Sequence, residues 1–194
     1  QHGIEHRTHH SICHWLAWLY LISEYLSGCS YFTLHPARGR FVSDDQQHLQ
    51  RAIALAHTNV AEGGRPFGAV LTHNGAVLVE AVNEIHLTQD PTAHAELLAI
   101  RQASRQVGAR LEGCVIYASG QPCPMCLSAM YLCGVERVVF AASNEMAEPF
   151  GLSTAAIGQQ VGLPLSEQRL PIQHLPDAAM TALYHHWKTL HDPQ

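Results

Sequence analysis

The sequence predicts an α/β fold in which a mixed sheet is sandwiched between helices. Two observations predict it. A hairpin signal, Asn74-Gly75, stands between two apolar runs. After it, helix-period and strand-like segments alternate to the end of the chain.

The elements follow in order. Ser43-Asp44-Asp45-Gln46 reads as a capping box opening a helix, continued at helical spacing by Leu49, Ala52, Ile53, Ala56 and Val60 and stopped by Gly63-Gly64. Phe67 to Thr72 and Val77 to Val82 are the hairpin strands. A second helix starts near Pro91, with Asp90 as its N-cap, and ends by Gly108. Val115 to Ala118 is a short buried strand, Pro124 to Cys133 a helix closed by Gly134, and Val135 to Ala142 a fourth strand. Glu145 to Gly162 holds a helix plus a loop, Leu170 to Leu175 a final strand, and Asp177 to His191 the C-terminal helix.

The 194 residues suit one domain with a sizeable core. Residues 1–41 read as an atypical N-terminal extension, and 42–194 as the domain. The extension is rich in His and Trp, and its apolar run Ile12 to Ile22 falls short of the about 20 residues that span a bilayer. A membrane role is therefore not expected. The formal charge is −5, which argues against a broad phosphate-binding face and so against nucleic acid as a partner. From Ser43 onward the basic residues are Arg51, Arg65, Arg101, Arg105, Arg110, Arg137, Arg169 and Lys188, outnumbered by acidic ones. Cys114 and Cys133 sit in apolar runs and read as buried thiols, and an intracellular, cytoplasmic setting fits this cysteine usage.

The chemistry lies in His94-Ala95-Glu96 and Pro122-Cys123-Pro124-Met125-Cys126. A histidine and two thiolates fill three tetrahedral positions around zinc and leave the fourth for water, whose pKa the metal lowers to about 7. Cys123 and Cys126, three apart, share one face of a first helical turn. His94 and Glu96, two apart, converge on one site only if the helix meets it end-on. Helix N-termini favour the anions such a site collects. A closed structural site, with Cys133 as fourth ligand seven residues after Cys126, is the alternative, but it has no use for Glu96.

These stretches, with Asp90-Pro91-Thr92-Ala93 ahead of the first, resemble the cytidine deaminase-like superfamily, and within it the branch of guanine deaminases and tRNA adenosine deaminases. The resemblance runs from about Val42 to Trp187. It implies a three-layer α/β/α fold with a five-stranded mixed sheet, a homodimer, Zn2+ held by His94, Cys123 and Cys126, and Glu96 as proton shuttle. It also implies that Asn83, eleven residues before His94, bonds the base; a turn residue closing a strand is the other reading. Phe67 in Pro66-Phe67-Gly68-Ala69-Val70 would line the base pocket, or else sit in the core. Ala95 would offer its backbone N–H. Glu148 would read the donors of a guanine-like edge, or else be a solvated loop residue.

The implied activity is hydrolytic release of ammonia from a purine-type nucleobase or nucleoside, guanine first. tRNA-specific adenosine deamination and a cytosine-type deaminase are the alternatives. The chain departs from the branch at Gln121, where glutamate is usual, at Gly120, where guanine deaminases often have cysteine, and at Ser153-Thr154, where a carboxylate is expected. The C-terminal stretch after Trp187 carries no tyrosine of the kind that covers the active site in guanine deaminases.

Overall fold

The computed structural model describes residues 36–192, with side chains from Asp44 onward. Contacts set apart the unit Ser43–Gln194, which is the one treated below. Residues 1–35, with Cys13, Cys29 and the apolar run 12–22, lie outside the described residues.

Helix α1 spans Pro36–Ala61. Its start differs from the expected one, because Ser43-Asp44-Asp45-Gln46 lies within the helix and opens nothing. Asp45 is instead committed to tertiary partners. Its carboxylate accepts the Tyr117 hydroxyl at 2.7 Å and both guanidinium nitrogens of Arg137 at 2.7 Å. The buried stripe also differs by one residue. Ala52, Ala56 and Asn59 face inward, while Val60 is 49 % exposed. The helix ends as expected at Gly63, whose φ of 88° only glycine adopts at low cost.

Strands β1 (Gly68–His73) and β2 (Ala76–Val82) form the hairpin. Asn74 and Gly75 turn it with φ of 51° and 83°, the two left-handed residues of a type I′ turn. Strand β3 (Cys114–Gly120) pairs antiparallel with β1, and β4 (Arg137–Ala142) pairs parallel with β3. The sheet order is β2-β1-β3-β4, mixed as expected.

The short helix α2 (Ile85–Thr88) follows the hairpin, and α3 (Ala95–Val107) follows that. The expected start of α3 near Pro91 is four residues too early. Asp90 does not cap a helix. Its Oδ1 accepts the N–H of Thr92 at 2.8 Å and its hydroxyl at 2.7 Å, closing a local turn in place of a first helical turn. Helix α4 spans Pro124–Cys133, with Gly134 left-handed after it, as the sequence predicts.

Alternation along the strands builds three layers. Ala69, Leu71, Val79, Ala81 and Ile116 join α3 and α4 in one buried cluster. Val70 and Tyr117, on the opposite face, meet Ala52, Leu49 and Leu55 of α1.

Beyond β4 come α5 (Asn144–Ala147), a 3-10 turn (Glu148–Phe150), α6 (Ala155–Val161), a second 3-10 turn (Leu165–Glu167) and α7 (Ala178–His191). Among the described residues the sheet has four strands, not five. Leu170 to Leu175, expected as the last strand, is exposed and pairs with nothing in the sheet. Leu170, Ile172 and Leu175 interspersed with Pro171 and Pro176 signal extended chain, but a strand also needs an edge to pair with, and Pro171 has no N–H to offer one. Helix α7 is exposed along its whole length, Leu183, Tyr184 and Trp187 included.

Candidate active site

Two helix N-termini meet at the site. His94 is the N-cap of α3 and Cys123 the N-cap of α4, both in extended conformation (φ −78°, ψ 148° and φ −69°, ψ 164°). This is the end-on arrangement that the two-residue spacing of His94 and Glu96 requires. Glu96 and Cys126 lie in the first turns behind them.

Nδ1 of His94 lies 3.5 Å from Sγ of Cys123 and 3.7 Å from Sγ of Cys126. All three atoms lie within 4.8 Å of one another. Zinc bonds of about 2.3 Å to sulfur and 2.0–2.1 Å to nitrogen, at tetrahedral angles, place a sulfur and a nitrogen about 3.6 Å apart. The observed distances are therefore the edges of a zinc tetrahedron with its fourth corner left over. Cys133 is not part of this group; its thiol is directed to the carbonyl of Met130, so the closed four-ligand alternative is not built here.

The electrostatics of the donors point the same way. The Cys123 thiol is held down to about 4, first by a bond from the Cys126 thiol, against burial, and then by His94 and the Cys126 amide. The Cys126 thiol is pushed up because its neighbour takes the charge, with burial adding to the effect, while the Leu97 amide pulls it down. His94 is raised, chiefly by its bond to Cys123. Two buried sulfurs this close each disfavour the other's negative charge. A dication removes the conflict, since coordination deprotonates a thiol outright.

Glu96 is 7 % exposed, and burial pushes its carboxyl above the usual range, with its own amide pulling the other way. Ala95 is fully buried at the first helical position, where an N–H has no intrahelical acceptor.

Asn83 follows β2 and is buried. Its Oδ1 accepts the Ile85 N–H at 3.2 Å, whereas its Nδ2 is buried with no partner. An orphaned buried donor of this kind costs about 1–3 kcal/mol. The backbone links these residues: the Asn83 N–H donates to the Phe67 carbonyl at 3.0 Å and the Glu84 N–H to the Ala93 carbonyl at 3.0 Å.

Phe67 is half-buried and lines a cleft of about 250 Å³ with Gly120, Gln121, Asn144, Phe150 and Leu152. Glu148 is exposed, at the start of the turn that carries Phe150, and does not line this cleft. The departures from the family pattern have structural roles here. Gln121 Oε1 accepts the Asn144 N–H at 3.0 Å, and Asn144 Oδ1 accepts the Thr154 N–H at 2.9 Å, so these side chains brace the cleft wall. Sequence reasoning missed this bracing, and it missed Asn59. The available signal was Asn59's place three residues after Ala56 on the buried stripe of α1.

Residues 42–142 match the family described as the cytidine and deoxycytidylate deaminase zinc-binding region. The guanine deaminase of Bacillus subtilis (strain 168) is 37 % identical over 142 residues, which is 72 % of this chain and 91 % of that protein. The tRNA-specific adenosine deaminase of Aquifex aeolicus (strain VF5) is 39 % identical over 98 residues, 50 % of this chain and 65 % of that one. The crystal structure of guanine deaminase from Bacillus subtilis superposes with a TM-score of 0.70 at 35 % identity, covering 74 % of this chain and 93 % of that one. With its three donors at zinc-tetrahedron spacing and a matching sequence across the whole sheet, the chain belongs to the zinc-dependent cytidine and deoxycytidylate deaminase family.

Proposed function

We propose that this deaminase releases ammonia from a purine-type nucleobase or nucleoside, guanine first, through a catalytic domain comprising residues 42–194 to which residues 1–41 are an extension. The observation that carries the reading is Glu96, a buried carboxylate two residues past His94, in the first turn of the helix that this zinc-ligand residue caps. Similarity to the Bacillus subtilis guanine deaminase, over nine-tenths of that protein, favours guanine.

His94, Cys123 and Cys126 would hold zinc, which when bound would supply a water activated at neutral pH. Glu96 takes a proton from that water and delivers it to a ring nitrogen, which makes the amine-bearing carbon electrophilic. Water oxygen bonds to that carbon. Glu96 then carries the second proton to the amine, the C–N bond breaks, and ammonia leaves. Asn83 Nδ2 bonds an acceptor on the base, the Ala95 N–H a second one, and Phe67 packs on the ring. Glu148 reads the N1–H and 2-amino donors of guanine.

The tRNA adenosine reading has the Aquifex aeolicus similarity in its favour. Against it stands the surplus of acidic over basic residues from Ser43 onward. The protein is further proposed to be a cytoplasmic homodimer. Tyr131 and Leu132 on the outer face of α4 are 81 % and 80 % exposed, and α7 leaves a row of large apolar side chains uncovered. Among the described residues no helix is long and apolar enough to cross a membrane.

Ammonia release by the zinc-loaded protein tests the proposal on guanine, guanosine, adenine, cytosine, cytidine and a tRNA anticodon stem-loop. Turnover of guanine or guanosine that disappears in Glu96→Ala is expected. Turnover of the RNA alone would overturn the substrate assignment.

A further inference from the structure

A buried asparagine inside a helix needs an explanation. Asparagine is a poor residue for a helix interior, because its amide competes for the backbone, and burying it unbonded is costly. Asn59 stands two residues before the end of α1 and is 2 % exposed. Its Nδ2 donates to the carbonyl of Arg65 at 2.7 Å and to the carbonyl of Asn83 at 3.0 Å. Both hydrogens of that amide are thus spent on two separate loops. The Arg65 loop carries Phe67, and the other acceptor is Asn83 itself.

The surroundings are shaped to admit this side chain. A Cβ on Gly64 would fall 2.5 Å from Asn59 Nδ2, so only glycine leaves room there. The Gly64 N–H returns a bond to the Asn59 carbonyl at 2.7 Å, tying the loop to the helix end. Asn83 is consequently gripped on three sides. Asn59 holds its carbonyl, Phe67 its N–H, and the Ile85 N–H its Oδ1. What remains free is Nδ2, the orphaned donor.

We infer that Asn59 is a positioning residue for substrate: by holding the Asn83 carbonyl, with the Arg65 carbonyl as its second anchor, it aims the free amide of Asn83 at an acceptor-bearing heterocycle. This rests on the proposed function, since it assigns Asn83 to the base. Asn59 touches no substrate. Its effect passes through Asn83, which is what separates it from a merely stabilising residue.

A double-mutant cycle tests it, using the full-length zinc-loaded protein and guanine. Asn59→Asp keeps the shape and removes both donors; Asn59→Ala is the second variant should the first not fold. Each is combined with Asn83→Ala, and zinc content is measured throughout. In the parent background, loss of the Asn59 donors is expected to lower kcat/KM by about tenfold or more, with zinc retained, as for contacting residues in one network. In the Asn83→Ala background the same change is expected to cost less than about twofold. Equal losses in both backgrounds, or parental kinetics in the variants, would overturn the inference. If the parent protein turns over no member of the substrate panel, the proposed function fails by itself. The cycle is then read by equilibrium binding of guanine, where equal losses, or no binding at all, overturn the inference as well.

Discussion

Sγ of Cys123 lies 3.5 Å from Nδ1 of His94, and each residue is the N-cap of its own helix. The distance matches a zinc tetrahedron, and the two caps explain how residues 29 apart in sequence attain it. Each ligand is held at the N-terminus of a helix that packs into the core.

Metal binding should therefore stabilise the folded chain. About one zinc per chain is expected, falling to near zero in His94→Ala and Cys126→Ala. At free zinc a hundredfold above its dissociation constant, binding adds about 2.7 kcal/mol. Removing it with a chelator should lower Tm by roughly 5–10 °C for a chain of this size. Metal analysis and thermal unfolding with and without chelator check both statements.

Glu96→Gln preserves the shape of a buried side chain and removes its capacity to carry protons. A fall in kcat of about 10²–10⁴ is expected, with zinc content unchanged. Turnover within twofold of the parent would assign the proton transfers to another group.

Asp45 gives a pH dependence. The Arg137 guanidinium holds its carboxyl below the ordinary value, burial opposes this, and the Tyr117 hydroxyl assists. Tyr117 itself is pushed up to about 12, so it remains a proton donor through the neutral range. A carboxyl whose folded pKa is depressed contributes stability above its unfolded value, about pH 4, and loses it as pH falls through the folded pKa. Asp45→Asn should thus be less stable than the parent at pH 7, by about 1 kcal/mol or less for a pair this exposed, with the gap closing below about pH 4. Urea unfolding across pH 3–7 measures it.

Gly120 accommodates Phe67. A Cβ at position 120 would meet the ring at 3.0 and 3.2 Å, closer than ordinary contact. Gly120→Ala is expected to displace the ring and raise KM about tenfold with a smaller change in kcat, and Phe67→Leu in the same chain to recover part of the loss. Steady-state kinetics of the two single variants and the double variant decide it.

Some elements were legible because their signals are local. Pro124 and Gly134 bound α4 through the φ each residue prefers, and Asn74-Gly75 determines the hairpin through two left-handed residues. Other signals were present but answered to different partners. Asp45 resembled part of a cap and is an acceptor for Tyr117 and Arg137; Asp90 resembled a cap and bonds Thr92. In each case an acidic side chain near a helical pattern had two acceptor roles open to it: for Asp45 distant partners took it, and for Asp90 a local turn with Thr92 did. The site followed the same division. His94, Cys123 and Cys126 were identifiable from residue type and spacing, whereas for Asn59 the spacing from Ala56 signals burial but not the two loop carbonyls it bridges.

The hairpin turn and the bounds of α4 were readable from the chain because each depends on residues within a few positions of one another, and the ligands because two short motifs carry residue types suited to zinc. Tertiary structure alone decided that α3 begins at the metal ligand, that Asn59 and not Val60 faces inward, and that Leu170 to Leu175 does not join the sheet. Those outcomes depend on which distant carbonyl, carboxylate or strand edge lies within bonding distance, and that is a property of the packed chain.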